Sequence, residues 1–136
     1  MEWDIIFPCM QPKEKDVWRI LVVEDEPAVG KAIKMMLEYD GHKVQTANSG
    51  KEALALLEQN SFDLVTTDFF MPEMKGDELA AAIKQRLPKQ PVLMISGNAV
   101  MSKSSGNPLA GVDLVINKPF LLDDLRKAMA KILTEI

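Results

Sequence analysis

Short apolar runs recur along the chain and predict the strands of a buried sheet. Four of them are almost free of polar residues and cover positions 20–23, 64–65, 92–95 and 114–116. Continuous apolar runs of this length are typical of strands that are covered on both faces in a parallel sheet. Residues 43–46 instead alternate polar and apolar side chains, which predicts a strand at the edge of the sheet.

Two stretches have the sequence signals of helices: one follows the first predicted strand, and the other follows the predicted edge strand. The first has one apolar stripe and is followed by Gly41, a residue suited to ending a helix. That stripe consists of Val29, Ile33, Met36 and Leu37. The second opens with Ser49 and Glu52 at the spacing of a capping box. In that motif the Ser hydroxyl accepts a hydrogen bond from the backbone amide of the third helical residue. The Glu carboxylate in turn accepts a hydrogen bond from the backbone amide of the capping residue.

Two later stretches also predict helices. One follows Gly76 and ends at Pro88, and its predicted inner face consists of Leu79, Ile83 and Leu87. The other closes the chain, with an apolar stripe that consists of Leu122, Leu125, Met129, Ile132 and Leu133. Helices that follow strands in this way provide the crossovers of a parallel sheet.

The alternation of strands and helices predicts an α/β fold. We expect an open, doubly wound sheet of five parallel strands with helices on both faces. Ligands bind such sheets at the carboxyl ends of the strands. With 136 residues, 47% of them hydrophobic, the chain has material for one core and one domain. We assign residues 17–136 to this domain and residues 1–16 to an N-terminal extension.

The extension contains an apolar group that consists of Trp3, Ile5, Ile6 and Phe7. Three interpretations stay open: the group packs on the domain, pairs with the edge strand of a neighbouring chain, or belongs to a disordered leader. Disorder is the simplest of the three at a chain terminus. No basic leader and no long apolar run is present, so we expect a cytoplasmic protein without membrane contact.

Charge and cysteine content narrow the class of partner. Sixteen basic residues stand against twenty acidic ones, and the basic residues are scattered along the chain. Direct binding to nucleic acid is not expected, because it depends on clustered cations that neutralise phosphates. Cys9 is the single cysteine, which excludes an intramolecular disulfide and fits a reducing cytosol.

Polar side chains stand just past the predicted strands. Glu24 and Asp25 follow the first strand, Asp68 the third, Ser96 the fourth and Lys118 the fifth. Three carboxylates at one edge repel each other unless a cation lies among them, and oxygen ligands suit Mg²⁺. The Lys118 ammonium and the Ser96 hydroxyl complement a phosphoryl group. Asp68 is the candidate nucleophile, because a carboxylate can carry a phosphoryl group as an acyl phosphate.

These residues belong to longer motifs. Glu24-Asp25 follows Ile-Leu-Val-Val, Asp68 opens Asp-Phe-Phe-Met-Pro-Glu-Met-Lys-Gly, Ser96 follows Val-Leu-Met-Ile, and Lys118 opens Lys-Pro-Phe. From about Trp18 onward, the sequence resembles the response-regulator receiver domains of two-component signalling. The resemblance implies a flavodoxin-like sheet with strand order 2-1-3-4-5. It also implies a cis peptide bond between Lys118 and Pro119, which would aim the lysine at the site.

The resemblance also implies a role for each site residue. Asp68 would receive a phosphoryl group from a phosphohistidine on a sensor histidine kinase or phosphotransfer protein. Asp25 and Asp68 would bind Mg²⁺ directly, Glu24 through a water, and Phe70 through its backbone carbonyl.

The remaining implied roles concern the phosphoryl group and the signal. Ser96 and Lys118 would contact the phosphoryl oxygens. Such a domain catalyses its own phosphorylation and slow dephosphorylation, and is a switch rather than an enzyme. It would signal by protein contact to a downstream protein that the sequence does not name, and whether it forms a homodimer stays open.

The chain departs from the family pattern at Val115, and its fourth helix is weak. Val115 stands where receivers carry an aromatic residue that reports the state of Ser96. Gly106 and Pro108 disfavour a continuous fourth helix, so we expect a short or frayed one. Our hypothesis is that phosphorylation orders residues 98–112. A second hypothesis is that the bulky Phe70 obstructs the water that hydrolyses the acyl phosphate.

Two other functions are considered. The first is a constitutive docking module of receiver shape, an alternative that Val115 and the broken helix keep open. The second is a Mg²⁺ phosphatase of the haloacid dehalogenase type. Such enzymes place a second Asp two residues after the nucleophile, and Phe70 occupies that position here. We therefore regard the phosphatase as remote.

Overall fold

The computed structural model describes residues 17–97 and 111–134. In these residues five parallel strands form one sheet with the order β2-β1-β3-β4-β5, which confirms the expected topology. The strands are β1 (Arg19–Val23), β2 (Lys43–Ala47), β3 (Leu64–Asp68), β4 (Val92–Ser96) and β5 (Leu114–Asn117). The helices are α1 (Pro27–Tyr39), α2 (Gly50–Gln59), α3 (Gly76–Arg86) and α4 (Leu122–Thr134). The extension 1–16 and the expected short helix in 98–110 lie outside the described residues.

The apolar strands bury both faces of the sheet, as their continuous apolar runs predict. On one face, β1, β3 and β4 pack against α1 and α4 through a cluster that includes Ile20, Ile33 and Leu125. On the other, the same strands pack against α2 and α3 through a cluster that includes Leu21 and Leu79. The two clusters hold the strands in one register, so that their carboxyl ends lie at a common edge.

The helix ends follow the predicted signals with one difference. Gly41 has a φ of +91° just after α1, a conformation that glycine adopts without strain. Ser49 Oγ accepts a hydrogen bond from the Glu52 amide at 3.1 Å. The Glu52 carboxylate, however, accepts from the amide of Asn48 at 2.6 Å, one residue before the predicted partner. Ser49 has an extended backbone, and successive amides of an extended chain point to opposite sides. The amide of Asn48 therefore faces the Glu52 carboxylate, and the amide of Ser49 does not.

The predicted inner face of α3 is correct for two of its three residues. Leu79 and Ile83 are buried, but Leu87 is 39% exposed and lies one residue past the end of the helix. The helical spacing places Leu87 on the inner face only if the helix continues through it. Because a residue before proline is disfavoured in the helical conformation, the chain leaves the helix before Pro88.

Within the described residues, no helix has both the length and the apolar character needed to cross a lipid bilayer.

Candidate functional site

The structure brings the predicted polar residues to the carboxyl edge of the sheet. Asp68 and Ser96 are the last residues of β3 and β4, and Glu24 directly follows β1. Lys118 directly follows β5, and its backbone amide donates to the Ser96 carbonyl at 2.8 Å. The edge therefore places carboxylates, a hydroxyl and an ammonium on neighbouring strands.

Three carboxylates form the centre of this edge. Oxygens of Glu24, Asp25 and Asp68 lie within 4.8 Å of one another. Glu24 is 3% exposed and Asp68 is 8% exposed, so two of the three acids have little contact with water. A compact set of carboxylate oxygens is the kind of ligand set that hard cations such as Mg²⁺ prefer. The residues present fit a divalent ion in their chemistry and their spacing.

The ammonium of Lys118 faces the same carboxylates. Its Nζ lies 3.5 Å from Glu24 Oε2 and 3.6 Å from Asp68 Oδ2. These distances exceed those of a tight charge-assisted hydrogen bond, so the ammonium is shared between two acids. The Lys118-Pro119 peptide bond is cis, in agreement with the family resemblance.

The Glu24 carboxyl is affected by its burial and by its charged neighbours. Burial raises the pKa of its carboxyl to about 7, and the negative charge of Asp68 adds to the rise. The Lys118 ammonium and a backbone hydrogen bond from Glu26 oppose it. One ammonium therefore does not balance the buried acids, which is the condition under which an additional cation is stabilised.

The backbone around Asp68 is held by contacts that the sequence motifs did not reveal. The Thr67 hydroxyl donates to the Asp68 carbonyl at 2.9 Å, and the Phe69 amide donates to Asp68 Oδ1 at 2.9 Å. The Gly76 amide donates to the Phe69 carbonyl at 2.8 Å. A Cβ at Gly76 would lie 2.2 Å from the Asp68 carbonyl oxygen, so only glycine fits there. Gly76 ends the sequence motif that Asp68 opens, whereas no feature of the sequence indicated a role for Thr67.

The loop between Asp68 and α3 is anchored from below. Met71 is buried and Met74 is partly buried in the cluster between the sheet and helices α2 and α3. Both methionines therefore pack beneath the loop. Glu73, at the outer turn, has a φ of 68°, which is uncommon for a residue other than glycine.

Comparison with known proteins identifies the chain. Residues 20–130 match the response regulator receiver domain. The chain belongs to this family. Receiver domains are signalling modules of two-component systems rather than classical enzymes, and they interact with histidine kinases or phosphotransfer proteins.

Curated relatives of this receiver domain are longer than the chain. The transcriptional regulatory protein TcrA of Mycobacterium tuberculosis is 34% identical over 107 residues, which are 79% of this chain and 42% of TcrA. The response regulator MprA of a Mycobacterium species is 33% identical over 115 residues, which are 85% of this chain and 50% of MprA. The chain thus spans half the length of these relatives or less.

This chain matches two solved receiver structures over nearly their whole length. A CheY-like receiver domain protein from Methanospirillum hungatei is 33% identical with a TM-score of 0.79, covering 88% of this chain and 95% of its own. The response regulator TrrA from Thermotoga maritima, solved in complex with Mg²⁺-BeF, is 31% identical with a TM-score of 0.76. That match covers 85% of this chain and 98% of TrrA.

Three further residues of the predicted site lie on β4, on β5 and in the loop after Asp68. Ser96 is fully buried at the end of β4. Val115 is partly buried on β5 and pairs with Met94 in register. The side chain of Phe70 is 52% exposed and packs edge-on against Phe69, with ring centroids 4.7 Å apart. An apolar, half-exposed ring therefore lies two residues beyond Asp68.

Proposed function

We propose that this receiver domain is a phosphorylation switch with Asp68 as its phosphoacceptor. An Asp68 carboxylate oxygen attacks the phosphorus of a phosphohistidine on a histidine kinase or phosphotransfer protein. The new oxygen–phosphorus bond forms as the phosphorus–nitrogen bond breaks, and the histidine nitrogen leaves. The observation that carries the proposal is the Lys118 ammonium, 3.6 Å from Asp68 Oδ2 beside two more carboxylates.

The proposed ligands of Mg²⁺ are Asp25 and Asp68 directly, Glu24 through a water, and the Phe70 carbonyl. When bound, the ion neutralises charge on the transferring phosphoryl group. The cluster of oxygens within 4.8 Å supports this assignment, as does the Mg²⁺-BeF complex of the similar TrrA. We expect Asp25→Asn to weaken Mg²⁺ binding by about 10-fold or more, judged from typical losses around metal sites.

Lys118 and Ser96 are proposed to hold the phosphoryl oxygens. The Lys118 ammonium attracts negative charge at the acid cluster, and the Ser96 hydroxyl offers a donor at the end of the neighbouring strand. Ser96 ends the buried strand β4 and Lys118 directly follows β5, and we expect both groups to act with little rearrangement. The domain thereby promotes its own phosphorylation and slow dephosphorylation without turning over a separate substrate.

We further propose that the phosphorylated domain signals by contact with a downstream protein in the cytoplasm. The family and structure comparisons favour neither the constitutive docking module nor the phosphatase.

Binding of beryllofluoride, a phosphoryl mimic, tests this proposal. We expect binding only in the presence of Mg²⁺, with amide shifts at Asp68, Ser96 and Lys118 in nuclear magnetic resonance spectra. Lys118→Met should weaken it, whereas Lys127→Met, on the exposed side of α4, should not. Binding without Mg²⁺, or equal binding by Lys118→Met, would contradict the site assignment.

A partner assay separates the switch from the docking module. Once a downstream protein has been found, its affinity is compared for the parent and Asp68→Asn, each with and without acetyl phosphate. A switch gives a phosphorylation-dependent change in the parent that Asp68→Asn lacks. A docking module gives one affinity in all four samples, and that result would overturn the proposal.

A further inference from the structure

A groove of about 700 Å³ lies at the edge of the sheet opposite the acid cluster. Its walls come from the segments that precede β1, β3 and β4 and from the last residues of α2, α3 and α4. Its apolar lining includes Trp18, Leu57, Phe62, Leu87, Pro88 and Leu133. The groove therefore lies where the strands begin, as far along them from Asp68 as the sheet allows.

The lining residues extend both buried cores to the surface. Trp18 and Leu133 pack against the cluster on one face of the sheet, and Leu57 and Phe62 against the cluster on the other. Leu87 is 39% exposed, although its helical spacing predicts an inner position. These side chains give the open groove an apolar lining against which the apolar side chains of another segment can pack.

The first described residues locate a segment that can reach this groove. Val17 is the first described residue, and Trp18, the next one, is part of the groove wall. The sixteen residues before Val17 contain the apolar group Trp3, Ile5, Ile6 and Phe7. The ten residues between Phe7 and Trp18 span up to about 33 Å when extended, which is long enough to fold back across the groove.

We propose that the groove is a docking site for residues 3–7 of the same chain. In an extended segment Trp3, Ile5 and Phe7 share one face, because side chains alternate along a strand. That face presents three large apolar side chains to an apolar groove. Asp4 then lies on the opposite face, toward water.

Two basic residues and the acidic Asp63 line the groove, and two acidic residues flank Trp3 in the segment. Arg86 and Lys89 line the groove, and Glu2 and Asp4 flank Trp3 in sequence. Arg86 pairs with Glu58 at 2.8 Å, whereas Lys89 has no ion pair within residues 17–97 and 111–134. In the extended segment Glu2 and Asp4 lie on the face away from the groove, so the basic groups at the groove attract the segment at longer range without a direct ion pair. Docking at this edge leaves the acid cluster at the other edge open to a phosphodonor.

The native Cys9 allows the full chain to be tested directly. As the single cysteine, it accepts one nitroxide spin label next to the apolar group. We expect the label to broaden methyl signals of Leu57, Leu87 and Leu133 in nuclear magnetic resonance spectra, with most of their peak height lost. Signals of Leu121, which is exposed at the start of the last helix, should keep their height.

Two variants and a mixing experiment complete the test. Trp3→Ser/Phe7→Ser, labelled at Cys9, should lose the selective broadening, and Leu87→Asp should lose it from the groove side. Equal broadening of groove and Leu121 signals, or retention in both variants, overturns the proposal. In the mixing experiment, isotope-labelled Cys9→Ser chains, which cannot carry the spin label, are combined with spin-labelled chains that carry no isotope. Selective broadening that appears in this mixture assigns the groove to a second copy and overturns docking within one chain.

Discussion

Two neighbouring threonines on β3 differ in the partners of their hydroxyls. Thr66 is 1% exposed, and its Oγ1 has no hydrogen-bond partner in the described part of the chain. Thr67 is equally buried, but its hydroxyl donates to the Asp68 carbonyl at 2.9 Å. A buried hydroxyl without a partner has lost its bonds to water and gained none in return.

We predict that Thr66→Val stabilises the fold by about 1 kcal/mol, because valine keeps the shape and removes the unpaired hydroxyl. Thr67→Val is the matched control and should destabilise by about 1 kcal/mol, because it breaks a buried hydrogen bond. Urea unfolding of the two variants beside the parent measures both effects. If both substitutions change the free energy of unfolding in the same direction, the distinction between the two hydroxyls is wrong.

Phe70 gives a prediction about the lifetime of the phosphorylated state. Its half-exposed ring contacts Phe69 two residues after Asp68, and our hypothesis is that it obstructs a water approaching the acyl phosphate. We expect the acyl phosphate of Phe70→Asn to hydrolyse faster than that of the parent, because a smaller polar side chain admits and orients the attacking water. Phe70→Leu retains an apolar side chain and should stay close to the parent. The decay of phosphorylated protein, followed by intact mass, decides this, and an unchanged rate in Phe70→Asn rejects the idea.

At the scale of elements, the fit between β3 and α3 depends on Gly76. Because a Cβ there would overlap the Asp68 carbonyl, we predict that Gly76→Ala destabilises the fold by about 1–3 kcal/mol, as overpacking does. It should also slow phosphorylation by displacing the Asp68 backbone. Gly97→Ala is the control, since a Cβ there meets nothing within 4 Å. Thermal unfolding and the phosphorylation rate report the two effects, and a fully stable, fully active Gly76→Ala would contradict this packing.

Helices α1 and α4 are joined by an ion pair whose effect depends on pH. Arg126 Nε and Nη2 donate to the Asp40 carboxylate at 2.7 and 2.6 Å, and this lowers the pKa of Asp40 below its usual 3.8. A carboxyl whose pKa is lower in the folded state stabilises the fold above its unfolded pKa. That contribution is lost as the pH falls through the folded pKa.

We therefore predict that Asp40→Asn lowers stability at neutral pH, and that the difference from the parent shrinks as the pH falls below about 4, the range in which aspartate is protonated. The control is Asp123→Asn, which removes an exposed pair with Lys127 on the same helix and should change stability little. Urea unfolding across this pH range measures the difference. A difference that stays constant with pH would rule out the charge of Asp40 as its cause.

Sequence and structure agree best where one physical rule decides the outcome. Continuous apolar runs determine the strands, and the strand ends then bring Glu24, Asp68 and Lys118 to one edge. The strand order, by contrast, came from the family resemblance. Leu87 shows where periodicity fails, because the backbone restriction before Pro88 outweighs the helical spacing. The Thr67 hydroxyl bond was not predictable, because it depends on side-chain rotation and the exact path of the backbone.

At the scale of the whole molecule, the two edges of the sheet differ in chemistry and in the function we propose for each. The carboxyl edge gathers the charged groups, while the opposite edge exposes the apolar ends of both cores. A parallel sheet produces this division because every strand begins at one edge and ends at the other. Changes at the groove should therefore leave the phosphorylation chemistry intact.

The central claim, that Asp68 accepts a phosphoryl group with the help of Mg²⁺, is tested most directly by intact-mass spectrometry after incubation with acetyl phosphate. We predict that the parent and Asp123→Asn each gain the mass of one phosphoryl group when Mg²⁺ is present and none when it is chelated, and that Asp68→Asn gains none. A phosphoryl group on Asp68→Asn, or none on the parent with Mg²⁺, would contradict it.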